Sequence, residues 1–381
     1  MTEERAYWLA WAQISGIGPI ALQRLQQHFG NLAKAWTATG AELGQIAGFG
    51  YQKIEKIVEQ RSRLNPQQLL EKHKAQNPNF WTPIDPNYPR LLQEIPTPPP
   101  LLYYRGVVDR QETLGITPTV GIVGTRHPSE YGRRWTRKIS SILAKSGFTI
   151  VSGLAAGIDT EAHTACLEVG GRTIAVFGNG VDMVYPKTNK TLAEWVVKKG
   201  LAVSEYPAGT KPNPRHFPQR NRIVAGLSRA LLIMEAPERS GALITADIAN
   251  EFGRDVYVLP ARLDDENSYG CLQLINKGAE VIPITMEKLL EMLGAMPSLD
   301  VDVADSSEQL SLEFEQKAET SMSDLEPILT KVFQQISSEP IYLDLIVQNT
   351  GLSSGEVSSS LLQLELLGLV TQLPGMRYQR Y

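Results

Sequence analysis

Cysteine is nearly absent: the 381 residues include two, Cys166 and Cys271, each within an apolar stretch of helical spacing. Two isolated thiols form neither a disulfide framework nor a metal-ligand spacing, so reduced, buried residues in a cytoplasmic protein are expected. Long apolar runs are also missing. No segment reaches the roughly 20 residues needed to cross a bilayer, and the first residues lack the layout of a signal peptide. A soluble, intracellular chain with no membrane partner is therefore expected. No P-loop Gly-Lys-Ser/Thr and no Gly-x-Gly-x-x-Gly follows any strand-like segment. ATP and dinucleotides lose their usual support, and neither cofactor nor metal is expected.

Positive charge is in deficit, 37 Lys and Arg against 41 Asp and Glu, which by itself argues against a nucleic-acid partner. The deficit is local. Residues 297–326 hold nine acids and one lysine, and the other 36 basic and 32 acidic residues leave a net +4. Whole-chain charge is thus a poor guide to partners. The length also exceeds what one core usually supports, so two to three domains are expected.

The stretch from Val120 to His163 organises the chain. Val120-Gly121-Ile122-Val123-Gly124-Thr125-Arg126 precedes a helix opening near Gly132; Phe148 to Asp159 then repeats strand, glycine turn and helix, the second helix carrying His163. Short apolar runs followed by glycine and a 3.6-residue period mark βαβ units, whose helix N-termini favour anions beside the strand ends. Candidate strands continue the pattern: Val120 to Val123, Thr149 to Val151, Thr173 to Phe177, Ala202 to Ser204, Ala230 to Met234, Asp255 to Leu259 and Glu280 to Pro283. Their near-continuous apolar character fits a doubly wound, mostly parallel α/β sheet buried on both faces. The proline-rich residues 77–118 extend this domain, with Leu101 to Tyr104 as an edge strand.

The first 75 residues read as a helical domain with a repeated turn, Gly16-Ile17-Gly18 and Gly48-Phe49-Gly50, each between two helices. This resembles the tandem helix-hairpin-helix (SAM-like) family, which implies backbone contact with phosphate. With only Arg24, Lys53 and Lys56 close to the turns, packing or protein contact stands equally beside that reading.

Gly124 and Arg126, Ser152 and Gly153, Gly178 and Gly180, Glu205, the loop up to Arg222, and Glu235 with Ser240 and Gly241 all fall at strand carboxyl ends, on one rim of the sheet. The stretch Lys211-Pro212-Asn213-Pro214-Arg215-His216-Phe217-Pro218-Gln219-Arg220-Asn221-Arg222 carries four cations, an aromatic ring and no acid. Cations interleaved with a ring suit single-stranded nucleic acid, whose phosphates need charge and whose bases are free to stack. Arg133, Arg134, Arg137 and Lys138 extend the positive charge, or else solvate the face opposite Trp135, Ile139, Ile142 and Leu143.

Several motifs now stand in order: Val123-Gly124-Thr125-Arg126, Ser152-Gly153-Leu154-Ala155-Ala156-Gly157-Ile158-Asp159 with Ala162-His163, Tyr185-Pro186, Ser204-Glu205, Phe217-Pro218-Gln219-Arg220-Asn221-Arg222-Ile223, Glu235-Ala236 with Ser240-Gly241, Thr245-Ala246 and Gly278-Ala279. Over roughly residues 80 to 285 the chain resembles the DNA-processing protein A (DprA/Smf) family. That resemblance implies an extended Rossmann domain that binds single-stranded DNA, forms homodimers and helps load a RecA-type recombinase during natural transformation, with no established catalysis. Carried over by motif, Arg126, Phe217, Arg220 and Arg222 become DNA contacts, Gly124, Ser152 and Gly153 shape the pocket, and Lys211, Arg215 and Asn221 belong to the same rim. Pro260-Ala261 departs from the family's usual Pro-Gly.

The alternative is an enzyme. Asp159, His163, Glu205 and Glu235 resemble an acid-base set, as in a nucleotide phosphoribohydrolase of the lysine-decarboxylase-like Rossmann group. That group's Pro-Gly-Gly-x-Gly-Thr-x-x-Glu segment is missing, the corresponding place reading Glu235-Ala236-Pro237-Glu238-Arg239-Ser240-Gly241. Carboxylates bonded to neighbouring N–H groups or arginine are expected instead, and no catalytic residue.

The expected organisation is a helical domain at 1–75, the extended Rossmann domain at 76–296, an acidic linker at 297–324 and a winged helix at 325–381. In the last, helices are expected at Leu325 to Ile336, Tyr342 to Thr350 and Ser354 to Leu367, before a hairpin turning at Pro374-Gly375. The third helix carries Glu356 and Glu365 without Lys or Arg, leaving only Arg377 and Arg380 on the wing to meet phosphate. A protein contact or regulatory role is expected there.

Overall fold

The computed structural model describes residues 2–294, 327–337, 341–366, 369–373 and 377–380. It divides into two compact units, Met1–Asp302 and Val303–Tyr381. The linker expected at 297–324 and the turn expected at Pro374-Gly375 lie outside the described residues.

Helices α1 (Thr2–Ala12), α2 (Pro19–Phe29), α3 (Leu32–Thr37), α4 (Gly40–Leu43), α5 (Tyr51–Ser62) and α6 (Pro66–Gln76) open the first unit. Both expected glycine turns are present: Gly16 and Gly48 have φ of +82° and +84°, and Gly18 and Gly50 cap α2 and α5. Trp8, Trp11, Leu22, Leu25, Leu32 and Ile57 fill a core between these helices. A second core joins them to the sheet, where Ala6, Leu9 and Leu70 meet Phe80, Leu101, Tyr103 and Val181. The helical region is thus welded to the sheet by shared apolar burial.

The sheet has nine strands, β1 (Phe80–Trp81), β2 (Leu102–Gly106), β3 (Thr119–Val123), β4 (Thr149–Ser152), β5 (Thr173–Phe177), β6 (Leu201–Ser204), β7 (Ala230–Ile233), β8 (Asp255–Val258) and β9 (Glu280–Val281), in the order β1-β2-β6-β5-β4-β3-β7-β8-β9. From β6 across to β9 every pairing is parallel, while β1–β2 and β2–β6 are antiparallel. The strand expected at Leu101 to Tyr104 starts at Leu102 and lies second from the edge. Its cover is β1, two residues and so too short to show a period, with Trp81 stacked on Tyr104 at 4.0 Å. The strands expected to end at Met234, Leu259 and Pro283 stop at Ile233, Val258 and Val281.

The helices between strands are α7 (Arg90–Gln93), α8 (Arg110–Thr113), α9 (Glu130–Lys145), α10 (Ile158–Glu168), α11 (Lys190–Lys199), α12 (His216–Leu227), α13 (Gly241–Glu251) and α14 (Tyr269–Asn276), and α15 (Met286–Gly294) follows the last strand. Apolar cores cover both faces of the sheet, as its fully buried strands require. Cys166 and Cys271 are free and buried.

One expected loop is corrected: the stretch ending at Arg222 becomes helix from His216 onward. Asn213 turns the chain, its side-chain oxygen accepting from Arg215 N at 3.0 Å and its carbonyl from His216 N at 2.9 Å. Pro218 falls in the first helical turn, where the missing N–H has no intrahelical acceptor to lose.

The second unit contains α16 (Pro327–Gln334), β10 (Ile341–Tyr342), α17 (Leu343–Thr350), α18 (Ser354–Leu366), β11 (Val370–Leu373) and β12 (Arg377–Arg380), with an antiparallel sheet ordered β10-β12-β11. The first helix ends at Gln334, two residues before the expected Ile336, and the two-residue β10 is an addition. Val332, Phe333, Ile346, Val357, Leu361 and Tyr378 form its core.

Candidate nucleic-acid interface

After β3 the chain adds strands on one side, and with β7 it adds them on the other, so the strand order reverses between these two neighbours. Crossover helices on opposite faces leave a crevice at the carboxyl ends there, the usual ligand position of such sheets. Thr125 N closes its base by donating to Glu235 O at 2.7 Å. Above it opens a cavity of about 480 Å³, lined among others by Arg126, Gly153, Tyr185, Phe217, Asn221 and Ser240.

Arg126 is exposed, and its guanidinium carbon stands 5.9 Å from the Phe217 ring centre. Gly157 holds the arginine's turn in place. At φ +87° it favours glycine, and a Cβ there would strike Thr125 O and the Arg126 backbone. Close approach lets Ile158 N donate to Thr125 O at 3.1 Å. The adjoining Leu154 has φ +58°, and Asn189 Nδ2 braces its carbonyl at 3.0 Å. Phe217 projects from the first turn of α12 over Gly178, where an added Cβ would lie 2.8 Å from the ring. Tyr185 lies beside it, ring centres 5.5 Å apart. Lys211 and Arg215 are exposed on the approach to α12.

Arg220 and Arg222, expected to contact DNA, are both engaged inside the protein. Arg220 is 5% exposed, and its Nη1 donates to Gly153 O at 2.6 Å and also to Val176 O. It forms part of the cavity floor. Burial lowers its pKa to about 10, which keeps it cationic at neutral pH. Burial raises the Asp159 carboxyl, and the charge of Arg220 opposes that rise. Asp159 also accepts from Gly153 N at 3.1 Å and Ala155 N at 3.2 Å. Arg222 Nη2 bonds Glu205 Oε2 at 2.5 Å, both side chains being less than one-fifth exposed. Ser152 is likewise buried, its hydroxyl donating to Ile122 O at 2.6 Å. Strand-end carbonyls create this demand for buried donors, and a guanidinium supplies several at once.

The remaining members of the supposed acid-base set are also committed. Thr173 Oγ1 donates to Ile150 O at 2.7 Å, so its contact of 2.7 Å with His163 Nδ1 places the imidazole proton on Nδ1. Burial first, and Arg220 second, push His163 down to about 3. Glu235 is 1% exposed and accepts from Ser129 N at 3.0 Å and Ser129 Oγ at 2.8 Å; Ser129 in turn caps α9. Gly132 gives this carboxylate room, since a Cβ there would collide with it. Among the described residues no group of three or more His, Cys, Asp and Glu side chains is arranged to hold a metal ion.

On α9, Arg133 pairs with Glu130 at 3.5 Å, and Arg137 with Glu161 at 3.1 Å and Glu168 at 2.5 Å, while Lys138 lies over Trp135. At the second hairpin turn, Arg24 bonds Ala47 O at 2.6 Å and Lys53 lies 4.1 Å from the Phe49 ring centre. On the wing, Arg380 Nη2 donates to Phe333 O at 2.8 Å. These six cations, which looked free in the sequence, therefore have partners close by. Ile244 is a cavity residue that sequence reasoning did not select, and Tyr185 was named there only within the Tyr185-Pro186 motif, with no place in the site.

A family model described as DNA recombination-mediator protein A matches residues 79–294, and one described as DprA winged helix domain matches residues 316–376. The chain is 54% identical over 394 residues to Protein Smf of Synechocystis sp., covering 99% of each chain. It is 43% identical to DNA processing protein DprA of Streptococcus pneumoniae, covering 58% of this chain and 77% of that protein. Among solved structures, DprA from Streptococcus pneumoniae gives a TM-score of 0.64 at 35% identity, over 73% of this chain and 94% of that one. DNA processing protein A from Helicobacter pylori, described for its single-stranded DNA binding mode, gives 0.50 at 31% identity, over 56% and 95%. No helix among the described residues is long and apolar enough to cross a membrane.

Proposed function

Because the chain belongs to the DNA recombination-mediator protein A family, we propose that it binds single-stranded DNA in the switch-point cleft, protects it, and helps load a RecA-type recombinase during natural transformation. One observation carries the reading: an exposed cation, Arg126, and an aromatic ring, Phe217, face the same cavity at the carboxyl ends of β3 and β5. Charge serves the phosphate and the ring serves the base, which needs no sequence and no duplex. Lys211 and Arg215 add charge along the lip, while Gly124, Gly153 and Asn221 shape the wall. Arg220, Arg222 and Ser152 act from beneath by fixing the strand ends. No catalytic step is assigned, since Asp159, His163, Glu205 and Glu235 are all bonded within the protein.

The protein acts as a cytoplasmic homodimer through its Rossmann domain. Support comes from apolar side chains beyond the last strands, Leu263 and Ile284 at 83% and 97% exposure, which a second copy would cover. The winged helix makes a protein contact, because the exposed face of α18 offers Ser358, Ser359, Leu362 and Gln363 but no cation.

Titration of the full chain with a single strand, a duplex of equal length and nucleoside monophosphates at two salt concentrations tests this function. The single strand should bind tightest and lose affinity with salt. Equal affinity for duplex, or tighter binding of a monophosphate, would contradict it.

A further inference from the structure

The cleft contains a second aromatic ring that the Arg126–Phe217 pair does not use. Tyr185 leaves the segment after β5, lines the same cavity and is 45% exposed, although most large apolar side chains of this unit are buried. Its ring centre lies 5.5 Å from that of Phe217 with the planes 32° apart. That is an ordinary aromatic contact distance, and it also decides how a base can enter. A base held between two rings needs two non-bonded contact distances of about 3.5 Å, or roughly 7 Å in all. The gap is too small for a clamp, so a base can stack only on the outer side of either ring.

Resting on the function proposed above, we infer that Tyr185 is a second base subsite, so that the cleft takes two successive bases of one strand, one on Phe217 and the next on Tyr185. The chemical class is a flat, uncharged ring linked by phosphate to its neighbour. Arg126, 5.9 Å from the Phe217 ring centre, meets a phosphate of this dinucleotide. Tyr185 supplies its face, so Phe at this position serves as well, whereas a side chain without a ring does not.

The full chain is mixed with a short thymidine strand carrying one photoreactive 5-iodouracil, moved one position at a time, and crosslinked residues are mapped. Crosslinks to Tyr185 and Phe217 from adjacent strand positions are expected. In binding titrations Tyr185→Ala should weaken affinity about five- to 150-fold with an unchanged salt slope, Tyr185→Phe should match the parent, and an abasic residue at the Tyr185 position should erase the difference between Tyr185→Ala and parent. A residue that merely props Phe217 would give no crosslink and no such erasure, and that result overturns the subsite. Parent-like binding by a folded Tyr185→Ala chain overturns it too. If the parent itself ignores single strands, the proposed function fails first, and the subsite with it.

Discussion

Arg220 Nη1 donates to the carbonyl of Gly153 at 2.6 Å, and only the missing side chain of that glycine leaves room for the guanidinium. The two residues lock the end of β4 to α12, the helix that carries Phe217. A buried cation with fixed acceptors is expensive to remove, because neighbours arranged around it lose their partner. Arg220→Ala is therefore expected to cost about 3 kcal/mol or more, and Arg220→Lys to recover only part, since one ammonium cannot reproduce the planar donor fork. Tryptophan fluorescence during denaturant unfolding measures this, as all six tryptophans lie between Trp8 and Trp195, within the first unit. A change within about 0.5 kcal/mol, ordinary for a surface position, would contradict the assigned role.

His163 gives the first unit a pH dependence. Its folded pKa is pushed down to about 3, against an ordinary 6.5. Below 6.5 the unfolded chain takes up a proton that the folded chain refuses, so this contribution to stability is present above about 6.5 and is lost as pH falls toward 3. Unfolding free energy should drop across that window by up to about 1.4 kcal/mol per pH unit from this residue. His163→Asn keeps a donor toward Thr173 and cannot titrate, so its slope should be shallower than the parent's. Equal slopes would place His163 in a far more polar setting than the one described.

Glu235 offers a test against an enzymatic role. Its carboxylate accepts from Ser129 at the start of α9, where a negative charge is favourable. Glu235→Gln is expected to lower stability by about 1 kcal/mol and to change no turnover, because the parent should hydrolyse no nucleoside monophosphate, with or without DNA. Release of a base from a monophosphate by the parent, lost in Glu235→Gln, would instead favour a phosphoribohydrolase.

Much of this architecture was legible in residue order. Short apolar runs located the seven parallel strands within one or two residues, and the glycines that follow three of them, Gly124, Gly153 and Gly178, together with Arg126, located the rim. Sequence could not tell which cations face outward. Arg126 and Arg220 look alike in composition, and what separates them is the position of the carbonyls of Gly153 and Val176, 67 and 44 residues away from Arg220 in the chain. Arg222 is withdrawn by Glu205 for the same nonlocal reason. The helical nature of residues 216–222 was hidden by Pro214 and Pro218, which read as loop although the second falls where a helix tolerates proline. The edge strand β1 was invisible because two residues carry no period.

The most direct test separates charge from stacking at the cleft. Arg126→Ala and Phe217→Ala in the full chain are titrated with a single strand over a range of salt, after folding is checked by fluorescence. Arg126→Ala should bind more weakly and flatten the dependence of log affinity on log salt by about 0.7, the value for one phosphate contact on a single strand. Phe217→Ala should weaken binding about five- to 150-fold and leave that slope unchanged. If both folded variants bind like the parent, the switch-point cleft is not where DNA is held, and the glycine turns of the helical region become the better candidate.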